Sequence, residues 1–300
     1  MSSSHYFLYE IDETQCLGGW LNAFIRRGGL EEQVKARGTT NTAAIRPEHV
    51  LDFEIPLPPV AEQQRIVARI EEVAAKIEEA RGLRRRAAIE AEALLKSQVA
   101  VTVNELVKRF GSRPLGQVIL EASYGTSAKC NQERPKGSLP VLRIPNVASE
   151  RVNLDAMKYG TLSSTELQRV LVTEGDVLVV RTNGSADLVG RCAVVPAFPE
   201  PTAFASYLIR LRCDPKTIIP EYLQLILKHL RTGGELIDFA RTTAGQYNVS
   251  LGRLRAAPLP VPSLAEQRQI VALLNELQKQ VEALKQLQAE TAAEVDALLP

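Results

Sequence analysis

The chain predicts an α/β (α+β) domain carried on two long antiparallel coiled-coil helices. Three observations support that expectation. Residues 37–95 align without a gap to residues 241–299, at a constant offset of 204. In each copy a proline-led segment opens a long run of apolar residues spaced three and four apart. Between the copies lie short β-branched runs broken by Gly, Pro and Asn. Two copies at so long an interval cannot stack as a solenoid. They describe a pseudo-symmetric protein offering two similar modules to a partner with its own two-fold symmetry, and duplex DNA is the commonest such partner.

Residues 1–60 read as the C-terminal remnant of a globular block. The stretch 18–40 resembles the rear of the middle block, a helix followed by an Arg-x-Thr turn, and residues 111–219 have no counterpart before it. The first long helix is expected over 61–108. Its lead, Pro56-Leu-Pro-Pro59, is extended because each proline pushes its predecessor out of the helical region. Ala61-Glu-Gln63 then starts the helix with strong formers, its Glu favourable in the first turn. The apolar seam runs Ile66, Ile70, Val73, Ile77, Ala80, Arg84, Ala87, Ala91, Leu94, Gln98, Val101.

The middle domain, 109–262, is read as short strands and helices. Val141-Leu-Arg-Ile144, Asp176-Val-Leu-Val-Val-Arg181, Arg191-Cys-Ala-Val-Val195 and Tyr207-Leu-Ile-Arg-Leu-Arg212 are the strand runs. A helix follows from about Pro220 to Leu230, with proline in its first turn. The second long helix is expected over 263–300, where Ser263 can cap and Glu266 completes a capping box. Its seam is Ile270, Leu274, Leu277, Val281, Leu284, Gln288, Thr291, Val295, Leu298. Spacing of this kind predicts coiled-coil packing of the two helices on each other. The alternative is two amphipathic helices, each on its own domain.

Composition narrows the function classes. The chain has 300 residues, 45% hydrophobic and 24% charged, as in ordinary globular proteins. No apolar run reaches the ~18 residues of a membrane span. Residues 1–15 hold Glu10, Asp12 and Glu13 without a basic n-region, so no secretory signal is expected there. Cys16, Cys130, Cys192 and Cys213 form no CxxC pair, which favours free thiols and a cytoplasmic location. The net charge of +1 is unevenly spread: Gly111 to Pro260 carries 18 Lys and Arg against 13 Asp and Glu, and 13 of those 18 are Arg. Arginine is the side chain suited to forked contacts with phosphate and guanine.

A catalytic constellation is not found. His5, His49 and His229 stand in unrelated contexts, and Arg231-Thr-Gly-Gly234 lacks a P-loop Lys-Ser/Thr. Glu174-Gly-Asp176 reads as a turn that starts a strand. What remains are polar turn clusters of the kind that read base edges. Tyr124, Thr126, Ser127 and Lys129 share one loop; Arg181, Thr182 and Asn183 sit at a strand end; Arg191 follows a glycine; Gln246 and Asn248 share a turn. Arg forks onto guanine O6/N7, and Asn or Gln onto adenine N6/N7.

These residues resemble a known family, the specificity subunits of type I restriction–modification systems. The resemblance rests first on Pro56-Leu-Pro-Pro-Val-Ala-Glu-Gln-Gln-Arg-Ile-Val67 and its repeat Pro260-Val-Pro-Ser-Leu-Ala-Glu-Gln-Arg-Gln-Ile-Val271. It extends to Tyr124–Lys129, Val141-Leu-Arg-Ile-Pro-Asn146, Gly175–Ser185, Val189-Gly-Arg191 and Gln246-Tyr-Asn-Val-Ser250. It implies target recognition domains held on antiparallel spacer helices, each domain reading half of a split double-stranded DNA site. It also implies a non-catalytic chain. Modification (methyltransferase) subunits bring S-adenosylmethionine, and restriction subunits bring ATP-driven cleavage. A ~35-residue helix is ~50 Å long, about 15 base pairs of duplex, so the spacer would act as a ruler. The first recognition domain is expected to be represented only by its tail, which suggests either a portion of a longer protein or self-association through two copies.

On this reading Arg181, Thr182 and Asn183 contact bases. Tyr124, Thr126, Ser127, Lys129, Arg143, Arg191, Gln246 and Asn248 supply further base or phosphate contacts. Ile66, Ile70, Val73, Ile77, Leu94, Ile270, Leu274, Leu277, Val281 and Leu284 pack the spacer helices. The rival readings are a coiled-coil adaptor that binds only protein, and an enzyme with a site in the α/β block.

Overall fold

A computed structural model describes residues 8–30, 33, 50–238, 241–243 and 245–296. The chain forms two compact units: residues 1–91 with 281–300, and residues 92–280. The division falls inside each long helix, whereas the sequence boundaries at 60/61 and 262/263 lie at helix starts. The first unit holds α1 (Gly18–Arg26) and the start of α2 (Val60–Phe110). The second contains, in order, β1 (Arg113–Pro114), β2 (Ile119–Tyr124), β3 (Leu139–Leu142), α3 (Ile144–Val147), β4 (Lys158–Gly160), α4 (Ser164–Val170), β5 (Val177–Val180), β6 (Thr182–Asn183), β7 (Cys192–Val194), β8 (Ala203–Phe204) and β9 (Leu208–Cys213). There follow α5 (Pro220–Thr232), α6 (Glu235–Asp238), β10 (Arg241–Thr243), β11 (Gln246–Asn248), α7 (Leu251–Ala256), β12 (Pro258–Leu259) and the start of α8 (Leu264–Asp296).

The centre of the second unit is an antiparallel sheet in the order β2-β9-β5-β7. Strand β5 is buried on both faces. Val177 and Val179 enter a core with Tyr222, Leu223, Ile226 and Leu227 of α5, while Leu178 and Val180 enter a second core with Val141, Leu142 and Phe204. Period-two alternation produces this division, and burial on both sides explains why the strand reads as an unbroken apolar run. The second core is closed by the sheet β4-β3-β8, in which β3 and β8 are parallel. Ile144, grouped with the β3 run in the sequence, instead opens the α3 turn. Pro145 favours a helix start there, and the fully buried Asn146 side chain accepts the Arg143 N–H at 2.9 Å and donates to the Asn153 and Asp155 carbonyls.

The turn at Glu174-Gly-Asp176 is structural. Gly175 has φ +82, and buried Asp176 accepts the Thr173 N–H at 2.9 Å and a forked pair from Arg212 at 2.9 Å. Arg210 is only 1% exposed. Its charge is met by Glu121, by the Leu171 carbonyl and by Asp176 4.0 Å away, and its guanidinium lies over Phe204. A buried cation without such partners would cost several kcal/mol.

Strands β1 and β12 pair antiparallel, so the chain that leaves α2 and the chain that leads into α8 lie side by side. Val99, Val103 and Leu106 of α2 and Ile270 and Val271 of α8 pack into the α5-side core. Arg109 Nη2 meets Glu266 Oε1 at 3.1 Å across the two helices, and Ser263 and Glu266 form the expected reciprocal cap. In the first unit Arg84 Nη1 donates to the Thr291 carbonyl at 3.2 Å, joining the same two helices in antiparallel sense.

Along α8 every residue of the expected seam turns inward as far as Thr291; the Val295 side chain and Leu298 lie outside the described residues. Along α2 Ile66, Ile70, Val73, Ile77 and Arg84 turn inward, but the seam then moves by one residue. Ala88, Leu95 and Val99 turn in, and Leu94 is 71% exposed, so its expected packing role is overturned. A 3.6-residue turn drifts about 20° per heptad against a strict 3.5 repeat. With Leu94 and Leu95 adjacent, the drift selects the second.

The duplication reaches into the hydrogen bonds. Gln63, fully buried, accepts the Leu17 N–H at 2.9 Å and donates to the carbonyls of Gln15 and Pro58 at 2.7 and 2.8 Å. Gln267, also fully buried, accepts the Ile219 N–H and donates to the carbonyls of Thr217 and Pro262, each at 2.9 Å. Trp20 Nε1 donates to the Pro56 carbonyl at 2.9 Å, as Tyr222 Oη does to the Pro260 carbonyl at 3.0 Å. Asp12 and Asp214 each accept an N–H two residues on at 3.0 Å. Thus α1 stands to α2 as α5 stands to α8, and residues 8–30 repeat the rear of the middle domain although few identities remain.

Candidate nucleic-acid interface

Strand direction gathers the polar turns. Tyr124 at the end of β2 pairs with Ile209 at the start of β9, and Val180 at the end of β5 pairs with Leu208. The residues after β2, after β5 and before β9 therefore share one end of the central sheet. A second small sheet, β10-β11-β6, extends from that end; Asn183 pairs with Tyr247 and Thr182 with Asn248. Gly125 lets the β2 exit press onto Phe204 and Ala205, since a Cβ there would meet the Phe204 carbonyl oxygen at 2.1 Å.

Arg181 is the hub of this end. Its guanidinium lies over the Tyr124 ring at 4.3 Å, Nε donates to Asn248 Oδ1 at 3.1 Å, and Nη1 approaches the Ser206 carbonyl at 3.5 Å. The Tyr124 hydroxyl accepts the Leu251 N–H at 2.9 Å, which fixes the ring. The Arg181 backbone is held on both sides, its N–H by the Tyr207 carbonyl and its carbonyl by the Val249 N–H, each at 2.9 Å. Asn183 Oδ1 accepts the Ser185 N–H at 2.8 Å and shapes the turn beyond.

The structure thus brings together Tyr124, Arg181, Thr182, Asn183, Gln246 and Asn248, which the sequence offered as separate turns. Ser127 and Lys129 are exposed on the loop leaving β2, and Gln246 is exposed at the β10–β11 turn. Three candidates are corrected. Thr126 is buried, with its hydroxyl bonded to Glu166 and accepting the Ala128 N–H at 2.9 Å. Arg191 spends its guanidinium on Asp187 and on the Ala148 carbonyl at 2.8 Å. Half-buried Arg143 donates to the Ala156 carbonyl at 2.7 Å. All three tie loops together from within. Sequence reasoning missed Tyr207, an aromatic 58% exposed beside Arg181. It opened the run 207–212, which the sequence offered only as a strand.

Among the described residues no group of three or more His, Cys, Asp and Glu is arranged to hold a metal ion. His229 is half-buried with its pKa lowered by burial, and His5 and His49 lie outside the described residues. Burial pushes the thiols of Cys192 and Cys213 up to about 12, the reverse of a reactive cysteine. No helix among the described residues is long and apolar enough to cross a membrane.

The model of the type I restriction modification DNA specificity domain matches residues 110–292. The specificity subunit of the type I restriction enzyme EcoKI from Escherichia coli K12 is 25% identical over 252 residues, covering 79% of this chain and 53% of the relative. A solved chain from a study of assembly and conformational transition in a type I R-M system superposes with TM-score 0.68 at 25% identity, covering 96% of this chain and 70% of that one. The HsdS subunit of Thermoanaerobacter tengcongensis superposes with TM-score 0.61 at 26% identity, covering 95% and 68%. The chain spans about half the length of the curated relatives it matches. With the family model covering well over half of its residues, the chain belongs to the type I restriction modification DNA specificity domain family.

Proposed function

We propose that this chain reads a DNA sequence for a type I restriction–modification complex and catalyses nothing itself. The observation that carries the reading is the cluster of Arg181, Tyr124, Asn248 and exposed Gln246 at one sheet end, within the most basic block of the chain. Arg181 has donors to spare for a base, and Ser127 and Lys129, exposed on the loop leaving β2, are available for phosphate. Modification subunits carrying S-adenosylmethionine and restriction subunits driven by ATP are the partners the family implies, acting in the cytoplasm on double-stranded DNA. The paired helices support a spacer role between two reading heads.

The test is selection from a random duplex pool by the chain assembled with its modification subunits, followed by binding at several salt concentrations. A recovered consensus, with affinity falling steeply as salt rises, is expected because neutralised phosphates release counterions. Equal binding to all sequences would overturn the reading, and absence of DNA binding would favour the protein-only adaptor.

A further inference from the structure

We propose that Arg181 is a preassembled guanine reader, with Tyr124 and Asn248 acting as its positioning residues rather than as DNA contacts. This inference rests on the DNA-reading function proposed above and names the residues that give it base specificity.

A free arginine side chain loses rotamer freedom when it engages a base, and that loss weakens discrimination. Here the cost is met within the fold. The Tyr124 ring supports one face of the guanidinium at 4.3 Å, and its own hydroxyl is pinned by the Leu251 N–H at 2.9 Å. The Nε–H is taken by Asn248 Oδ1 at 3.1 Å, and one Nη1 proton points to the Ser206 carbonyl at 3.5 Å. Of the five N–H groups of an arginine, those on Nη2 and the second on Nη1 have no acceptor among the described residues. A guanidinium gripped at its Nε edge and supported on one face still offers its Nη1/Nη2 fork. That fork matches two adjacent acceptors in one plane, and guanine O6 and N7 present this pair in the major groove. Asn248 Oδ1 in turn accepts from Arg181, which turns its amide toward the guanidinium.

The role of Tyr124 and Asn248 separates from general structural support by its coupling to a single base atom. The experiment takes the full chain with its modification subunits and the duplex recovered by selection, and replaces each guanine in turn by 7-deazaguanine, which lacks the N7 acceptor. Wild type is expected to lose about tenfold or more in affinity at one guanine. Arg181→Ala should erase the difference between guanine and 7-deazaguanine at that position, and Tyr124→Leu and Asn248→Ala should reduce it severalfold. Asn248→Asp, which keeps the Nε acceptor, should retain it, and Tyr124→Phe, which keeps the ring but loses its bond to Leu251, should fall between wild type and Tyr124→Leu. Full sensitivity to 7-deazaguanine in folded Tyr124→Leu and Asn248→Ala would overturn the positioning roles while DNA reading stands. Should Tyr124→Leu fail to fold, Asn248→Ala against Asn248→Asp decides alone. A selected consensus whose guanines are all indifferent to Arg181→Ala would overturn the reader itself. Failure to select any consensus would instead sink the underlying function.

Discussion

Gln63 and Gln267 occupy the same bonding environment 204 residues apart: each is fully buried at a helix start, accepts one backbone N–H and donates to two carbonyls. Each joins the first turn of a long helix to the chain that leads into a shorter one. The repeated Ala-Glu-Gln motif is therefore a clamp, in which the glutamine fastens a head to its rod.

Gln267→Ala should destabilise the second unit by about 1–3 kcal/mol for each of its partners left unsatisfied. Chemical denaturation of the variant and wild type measures the loss. A midpoint unchanged within error would mean that water replaces the amide fully.

Asp176→Ala should be far more harmful than Glu174→Ala. Asp176 is buried against Arg212 and Arg210, whereas Glu174 is exposed on the same turn. Removing one partner from a buried ion network costs about 3 kcal/mol or more, while the exposed site should stay within about 0.5 kcal/mol. Thermal melting of the two variants side by side tests this ordering, and DNA preference in the folded Glu174 variant should be unchanged.

Leu94→Ser should leave stability nearly untouched, because Leu94 is 71% exposed. Leu274→Ala, at a position 3% exposed in the opposite helix, should cost about 2–5 kcal/mol. Comparable losses at both sites would restore the strict heptad seam in α2.

Cys192 and Cys213 should resist alkylation in the folded protein, since burial holds both thiols near 12. Their folded pKa lies above the unfolded value of about 8.5, so the unfolded chain ionises first as pH rises. Stability contributed by the neutral thiols is complete below about 8.5 and is lost progressively above it, towards the folded pKa. Denaturation at pH 7 and pH 10 should show a decline that Cys192→Ala reduces, and thiol labelling should become rapid only on unfolding.

The architecture was legible where the signals are local. The proline leads, the Ser263 cap, the apolar run of β5 and the seam of α8 all appear where their residue patterns placed them. The slip at Leu94 and Leu95 was not legible, because two adjacent leucines satisfy either register and only packing chooses. The likeness of residues 8–30 to the rear of the middle domain was only half visible. Trp20 stands for Tyr222, and Gln15 for Thr217, residues that share hydrogen-bonding geometry without sharing identity.

The candidate interface shows the same division. Its polar turns stood out in the chain, but which side chains were free did not. Thr126 and Ser127 are neighbours of similar chemistry, yet the first bonds Glu166 in the interior and the second faces solvent. Arg181 and Asn248 lie 67 positions apart, so no local pattern could say that one holds the other. Periodicity, proline placement and duplication were written in the order of residues because each acts over a few bonds of chain. The commitment of each donor and acceptor awaited folding, because burial and hydrogen bonding depend on neighbours that only strand pairing brings within reach.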